Sequence, residues 1–398
     1  MRIAFVNDYS LDHIGGAVTS MFEQKKALEQ AGHAVFIFQL GKPTATPHDG
    51  VIFIPPSFTL PKSAYHLPIL LNRRKHTDLL RKLLTEHEID VIHFQSEMTL
   101  AYAISKIAAE MKLPMFFTIH TLFWKYTGPL PKFIAGVLRL GSASILRQKV
   151  NDFHPTGNAV EKALKNITLE IASRTDTVFS PSLHQKKVIE ATQIKTPVIV
   201  SPNPFTPYAQ PASTISTSPH PLKFVWAGRC VPEKRPLEFL EAIKLTSKKT
   251  IEPFTVDIIG DGPLLEQIKK DNALPNVTFH GQLSHDKTIE LFDQSDVVCL
   301  SSYGFDNQPM IIAEAISRFR PVLYCDKQLT EGVDTAGYLT KNETPKAIAT
   351  AMQYLIEHPS EVGALSRRAQ EAATIFTPQA YAKRTVAHYR QSDTPLVQ

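Results

Sequence analysis

Residues 90–120 read DVIHFQSEMTLAYAISKIAAEMKLPMFFTIH. A short apolar run, Asp90–Phe94, leads into a stretch with helical spacing, Leu100–Leu113, and then into a second apolar run, Pro114–His120. Short apolar runs bounded by polar residues suit strands, whereas apolar positions three and four apart suit a helix. Strand, helix, strand is the repeating unit of a parallel sheet with helices on both faces.

The alternation continues outward from this unit. Upstream, Arg2–Val6 reads as a strand, Thr19–His33 as a helix through Met21, Ala27, Leu28 and Ala31, Ala34–Leu40 as a strand and Thr77–Ile89 as a helix. Gly32 stands where a helix-terminating glycine belongs. Downstream, DTVFSPS (176–182) and PVIVSPN (197–203) supply further strands. The stretch Pro202–Pro221 then brings six prolines among Ser and Thr, which excludes a regular element and marks a linker. After it the pattern restarts: strands in KFVWAG (223–228), FTVDIIG (254–260), VTFHG (277–281), VVCLSS (297–302) and PVLYC (321–325), with helical stretches between them. The expected fold is α/β, with two doubly wound Rossmann-like domains facing a cleft: residues 1–201, a linker over 202–221, and residues 222–375. A C-terminal helix within 376–398 is expected to pack back towards the first domain.

The bulk numbers agree with an ordinary globular chain of 398 residues, 43% hydrophobic and 20% charged. Three cysteines, Cys230, Cys299 and Cys325, stand far apart without CxxC spacing, which fits a reducing compartment and argues against a structural zinc site. MRIAFVNDY reads at once as strand and loop rather than as a signal peptide, and no uncharged apolar run reaches the ~18 residues of a membrane span. Residues 1–210 carry a net charge of +7 and residues 211–398 a net charge of −2, so the halves suit different partners. The expected location is the cytoplasm, with peripheral contact at the inner face of the plasma membrane. No nucleic-acid partner is expected.

In open α/β sheets ligands bind beyond the carboxyl ends of the strands, so the loops there hold the candidate residues. In AGRCVPEKRP (227–236), Arg229 and Lys234 can both reach one anion, and a diphosphate leaving group suits an Arg clamp with a Lys point charge. A solvated basic turn, with Glu233 pairing locally, fits the same residues. In IIGDGP (258–263), Gly260 and Gly262 let backbone approach a flat ligand. In GFDNQPMIIAEA (304–315), Pro309 suits the first turn of a helix. The free N–H groups of Met310 and Ile311 then favour a phosphate. Asp306 precedes that helix, and Glu314 lies about 7 Å further along its axis. Two acids so spaced can accept hydrogen bonds from two sugars flanking a diphosphate; they equally suit a helix cap and a structural partner.

These motifs, in this order, resemble those of the retaining family 4 glycosyltransferases of GT-B fold: GRxxxEK, GDGP, VTFHG, and an acid-x7-Glu followed by PV. GGAVTSMFEQKKALEQAGHAVFIF (15–38), DVIHFQSEMTLA (90–101) and FTIHT (117–121) resemble the acceptor domain of that family, and the likeness spans nearly the whole chain. The resemblance implies that Arg229 and Lys234 bind the diphosphate, Asp306 the donor sugar and Glu314 the ribose. It implies that the Gly260–Gly262 turn and the loop around His280 and Gln282 frame the base. It further implies that Gly15 and Gly16 lie under the donor phosphates and that His120 lies beside the transferred sugar. Departures concentrate near the donor sugar: Asp306 replaces the usual Glu, Gln308–Pro309 the usual aromatic-Gly, and Arg318–Phe319–Arg320 the usual small-x-Gly.

The implied reaction moves a sugar from a nucleoside diphosphate, UDP-glucose or a related UDP-hexose, to a hydroxyl with retention of configuration. No DxD-type metal motif is visible, so no metal and no cofactor are expected. The first half resembles the bacterial enzymes that glucosylate diacylglycerol, which implies a membrane glycolipid or diacylglycerol acceptor. Basic residues among leucines (Arg73, Arg74, Lys75) and aromatics among basic residues (Phe123, Trp124) suit an anionic membrane surface. They also suit ordinary helices whose leucines face the core. A soluble or cell-wall polysaccharide acceptor, or a nucleotide-sugar epimerase of the same fold, are the other readings.

Overall fold

The structure, a computed structural model, describes residues 1–11, 15–43, 48–59, 68–122, 124, 153, 158–206, 212–215, 221–271 and 274–391. The chain divides into two compact units, one of Met1–Pro202 with Tyr381–Gln398 and one of Asn203–Ala380.

In the first unit the elements run β1 (Arg2–Asn7), α1 (Gly16–Gln30), β2 (Ala34–Leu40), β3 (Val51–Ile54), the small strands β4 (Phe58–Thr59) and β5 (Pro68–Ile69), α2 (Arg74–Glu86), β6 (Val91–Phe94), α3 (Thr99–Met111), β7 (Met115–Thr118), α4 (Ala159–Ala172), β8 (Thr177–Ser180), α5 (Leu183–Glu190) and β9 (Val198–Val200). Among the described residues, seven of these strands form a parallel sheet in the order β3-β2-β1-β6-β7-β8-β9.

The second unit runs β10 (Leu222–Ala227), a 3-10 turn (Pro232–Lys234), α6 (Pro236–Ser247), β11 (Phe254–Ile259), α7 (Leu265–Asp271), β12 (Val277–Gly281), α8 (His285–Asp293), β13 (Val297–Leu300), α9 (Met310–Ser317), β14 (Val322–Tyr324), α10 (Val333–Ala336), β15 (Gly337–Leu339), α11 (Pro345–Glu357) and α12 (Pro359–Ala372). Its parallel sheet has six strands among the described residues, in the order β12-β11-β10-β13-β14-β15. The last helix, α13 (Pro378–Gln391), belongs to the first unit from Tyr381 onward. Two parallel-sheet Rossmann-like units are what the alternating sequence predicts.

Successive residues of each inner strand enter opposite cores. Ala4 and Val6 pack with α2 and α3 residues such as Leu80 and Ile104, whereas Ile3 and Phe5 pack with Met21 and Leu28 of α1 and Tyr381 and Tyr389 of α13. In the second unit Phe224 and Trp226 face one core and Val225 the other. A strand buried on both faces has no polar side to alternate with, which is why RIAFV and VVCL read as continuous apolar runs.

Local chemistry sets the helix ends. At the end of α1 Gly32 takes φ 83°, His33 N–H reaches Leu28 O and Gly32 N–H reaches Glu29 O, a Schellman closure that frees Ala34 to begin β2. Ser182, Ser284 and Thr344 cap α5, α8 and α11 through their hydroxyls. No helix among the described residues is long and apolar enough to cross a membrane.

Candidate active site

In the second sheet the strand order reverses between β10 and β13, and the loops leaving these two strands hold Arg229, Lys234, Asp306 and Pro309. After β10 the chain passes Gly228 and Arg229 and enters the 3-10 turn that ends at Lys234. Trp226 Nε1–H donates to Ser301 Oγ (2.9 Å), and that hydroxyl donates to Lys234 O (2.7 Å), so the β13 exit holds the turn in place. Arg235 takes the left-handed φ of 53° and anchors on Glu343 O at 2.7 Å. Lys234 Nζ meets Asp306 Oδ1 at 2.6 Å, and the Phe305 ring centroid lies 5.8 Å from the same ammonium. The other carboxylate oxygen of Asp306 accepts from Ser302 Oγ. Arg229 is exposed and has no carboxylate partner among the described residues.

Pro309 caps α9 rather than opening it, and the helix starts at Met310. Among the described residues the N–H groups of Met310 and Ile311 have no acceptor, as expected at a helix start. Gln308 is buried; its Oε1 accepts from Asn203 N–H at 2.7 Å. Glu314 lies buried on α9, and His285 Nε2 stands 3.0 Å from its Oε1. Loop and helix thus bring Lys234, Asp306, the open end of α9 and Glu314 into one region of the second unit.

Gly260 and Gly262 form the expected turn after β11, with φ of 133° and 149°. The close approach they permit is to another loop: a Cβ at Gly260 would stand 1.8 Å from Gly228 O, and one at Gly262 2.7 Å from Cys230 O. Gly228 N–H bonds Ile259 O (3.0 Å) and Cys230 N–H bonds Asp261 O (2.8 Å), so this turn braces the Arg229 loop. His280 is the extra residue where the β11–β12 register shifts, and its Nε2 lies 2.6 Å from Asp257 Oδ1. Gln282 is exposed. Arg318 and Arg320 are buried and spent elsewhere: Arg318 pairs with Asp293, and Arg320 donates to Phe292 O, Asp293 O and Ser213 O.

In the first unit the sheet order reverses between β1 and β6. Gly15 precedes α1 with extended backbone, and Gly16 begins the helix with open space at its Cβ position. Asp8, fully buried after β1, accepts from the N–H groups of Met98, Leu100 and Ala101 and from Ser96 Oγ, placing a carboxylate on the start of α3. Beside it Glu97 is buried, accepts from Thr168 Oγ1 at 3.1 Å, and has its pKa pushed up to about 8, by burial first and by the Asp8 charge. His120 follows β7; burial lowers its pKa to about 4. His93 on β6 is lowered to about 3 by burial, with its Nδ1 2.5 Å from the Tyr389 hydroxyl and its Nε2 2.7 Å from Thr118 Oγ1. Neither Asp8 nor Glu97 stands out by spacing; only their place after parallel strands could have marked them.

The surface residues divide. Arg73, Arg74 and Lys75 are exposed at the start of α2, with Arg74 3.8 Å from Asp78. Trp124, expected at a membrane surface, is instead 7% exposed and packs into the core that holds Leu100 and Ile104. The correction has a simple cause: a large indole gains more from a dry core than from a half-wet surface. Phe123 lies outside the described residues.

Residues 14–207 match the family described as Glycosyltransferase Family 4, and residues 221–358 match Glycosyl transferases group 1. The chain is a glycosyltransferase of GT-B fold, with a family 4 domain followed by a group 1 domain. The transferase is 22% identical over 400 residues to alpha-monoglucosyldiacylglycerol synthase of Acholeplasma laidlawii, covering 96% of this chain and 95% of that protein. It is 22% identical over 366 residues to the protein of the same name from Streptococcus pneumoniae, covering 88% of this chain and 78% of that one. Among solved structures, Anabaena Alr3699/HepE in complex with UDP matches with a TM-score of 0.67 at 15% identity, over 98% of this chain and 100% of that chain.

Proposed function

We propose that this glycosyltransferase moves a hexose from a UDP-sugar to a lipid hydroxyl, diacylglycerol or a membrane glycolipid, with retention of anomeric configuration. The observation that carries the donor half is the Lys234–Asp306 pair beside the open N-terminus of α9, with Glu314 two turns on. A diphosphate gains negative charge as the sugar leaves, and preorganised positive groups stabilise that charge without reorganisation. Lys234, exposed Arg229 and the α9 N–H groups supply it. Asp306, freed from Lys234 when the ammonium turns to phosphate, takes sugar hydroxyls; Glu314 takes the ribose, with His285 as its resting partner. The Gly260–Gly262 turn and the His280–Gln282 segment serve the base, and Gly15–Gly16 and His120 serve the donor phosphates and sugar. A departing phosphate oxygen takes the acceptor proton on the face it leaves, which retains configuration without a protein nucleophile. Charge met by Arg, Lys and a helix dipole needs no essential metal.

The names of the two synthase relatives support a diacylglycerol-type acceptor, and a complex of the Anabaena protein with UDP-glucose supports the donor. The test is incubation with UDP-glucose, UDP-galactose and UDP-N-acetylglucosamine, with and without lipid extract, in the presence and absence of EDTA. An α-linked glycolipid formed from an α-donor, unaffected by EDTA, is expected. A free isomerised nucleotide sugar without acceptor would make the protein an epimerase; product only on soluble glycan would remove the lipid half.

A further inference from the structure

We infer that Gln95 and Gln24 are positioning residues that hold the His120 imidazole neutral and fixed in its plane, leaving Nδ1 as an acceptor for a substrate hydroxyl. The inference rests on the proposed role of His120 in the transfer. Its ground is a closed ring of hydrogen bonds within the first unit. His120 Nε2 meets Gln95 Oε1 at 2.6 Å, Gln95 Nε2–H donates to Gln24 Oε1 at 3.1 Å, Gln24 Nε2–H donates to Ser20 Oγ at 3.3 Å, and Ser20 Oγ lies 3.4 Å from His120 Nδ1. Followed around, the ring runs in one sense: Nε2–H to Gln95, Gln95 to Gln24, Gln24 to Ser20, and the Ser20 hydroxyl to Nδ1. Gln24, Gln95 and Ser20 are all buried, so these three do not exchange their partners for bulk water, whereas His120 is partly exposed.

Such a ring accommodates only a neutral imidazole. Protonation makes Nδ1 a donor as well, so the Ser20 hydroxyl can no longer donate to it and the ring is broken at that bond. Burial acts in the same direction, with the His120 pKa lowered to about 4. Neighbouring charges do not oppose this. Glu23 and Lys25 of α1 are paired within the helix to Lys26 and Glu29, and His93 on the adjacent strand is itself held neutral. The bond at Nε2 is short and the one at Nδ1 long, so Nδ1 is the nitrogen that can release its partner to an incoming hydroxyl.

The test has two readouts. In the wild-type protein with its histidines labelled, the 15N shifts of His120 are expected to report the Nε2–H tautomer and to stay unchanged down to about pH 5. In Gln95→Glu a carboxylate faces Nε2, and the His120 titration should rise by one unit or more. The acid limb of the pH–rate profile should rise with it, while turnover at pH 8.5 stays within a few-fold of a Gln95→Met variant. A wild-type His120 titrating near pH 6.5, or a Gln95→Glu variant whose His120 titration moves while the pH–rate profile does not, overturns the positioning role. Full turnover in His120→Ala, with the titration behaving as expected, instead removes the role of His120 in the reaction and leaves the ring as a structural device.

Discussion

Lys234 meets a carboxylate at 2.6 Å in a turn whose carbonyl is held by Ser301, itself held by Trp226, so its position is set before any ligand arrives. Removing one such preorganised charge costs on the order of 10²-fold in turnover. Lys234→Ala and Arg229→Ala are each expected to fall by that factor or more with unchanged thermal unfolding; near-normal steady-state rates for both would remove the diphosphate assignment. Both residues were legible from sequence because they follow a strand at a readable interval. Glu97 was not, since what distinguishes it is burial beside Asp8. Its carboxyl holds a proton up to about pH 8 in the fold but only to about 4.5 when unfolded. The folded state therefore binds the extra proton between those values, and stability is lost as pH rises through that window. Glu97→Gln keeps the hydrogen bond to Thr168 without the titration. It should make the first unit more stable than wild type at pH 9, by a few kcal/mol at most, and leave the two alike near pH 4; denaturant melts at the two pH values decide.

Elements whose identity depends on local pattern were readable, and their contacts were not. AVFIFQL (34–40) and VTFHG (277–281) are strands to the residue, because apolar runs between turn signals are a local property. That Gly260 abuts Gly228, or that His280 turns to Asp257, depends on the β10–β11–β12 pairing, which spacing within one segment cannot contain. The end of α9 shows the same limit. Phe319 occupies a left-handed position, φ 59°, with its N–H bonded to Ile316 O and Arg320 N–H to Ala315 O: a Schellman closure built on Phe instead of Gly. A non-glycine residue there costs roughly 1–2 kcal/mol, which the buried Arg318–Asp293 pair helps offset. Phe319→Gly should therefore stabilise the second unit by about 1 kcal/mol in denaturant titration; destabilisation would mean that the half-buried phenyl contributes more than the backbone loses.

Across the whole molecule the charge is asymmetric, +7 over residues 1–210 and −2 over the rest. Part of the basic charge of α2 is paired at the surface: Arg81 with Glu110, Lys82 with Glu86 and Arg74 with Asp78. Arg73 and Lys75 have no carboxylate partner among the described residues, and with Arg74 they stand at the positive end of α2, where cations are unfavourable unless something negative approaches. An anionic lipid surface is such a partner, at ~1 kcal/mol per basic residue. Liposome sedimentation should show binding that rises with anionic lipid, falls as salt screens it, and drops when Arg73, Arg74 and Lys75 become Ser. Indifference to anionic vesicles at low salt would count against a membrane role for this face.

The placement of Tyr381, Ala382, Val386 and Tyr389 in the core beside β1 bears on biosynthesis. The chain leaves the ribosome from its N-terminus, so one wall of the first-made core is delivered after the whole second unit. The second unit can close on its own while the first waits, with Phe116 and Phe179 uncovered on that side and His93 short of a hydroxyl partner. A released chain ending at residue 380 should thus protect Asn203–Ala380 from protease while Met1–Pro202 is still cut, and the full-length chain should protect both.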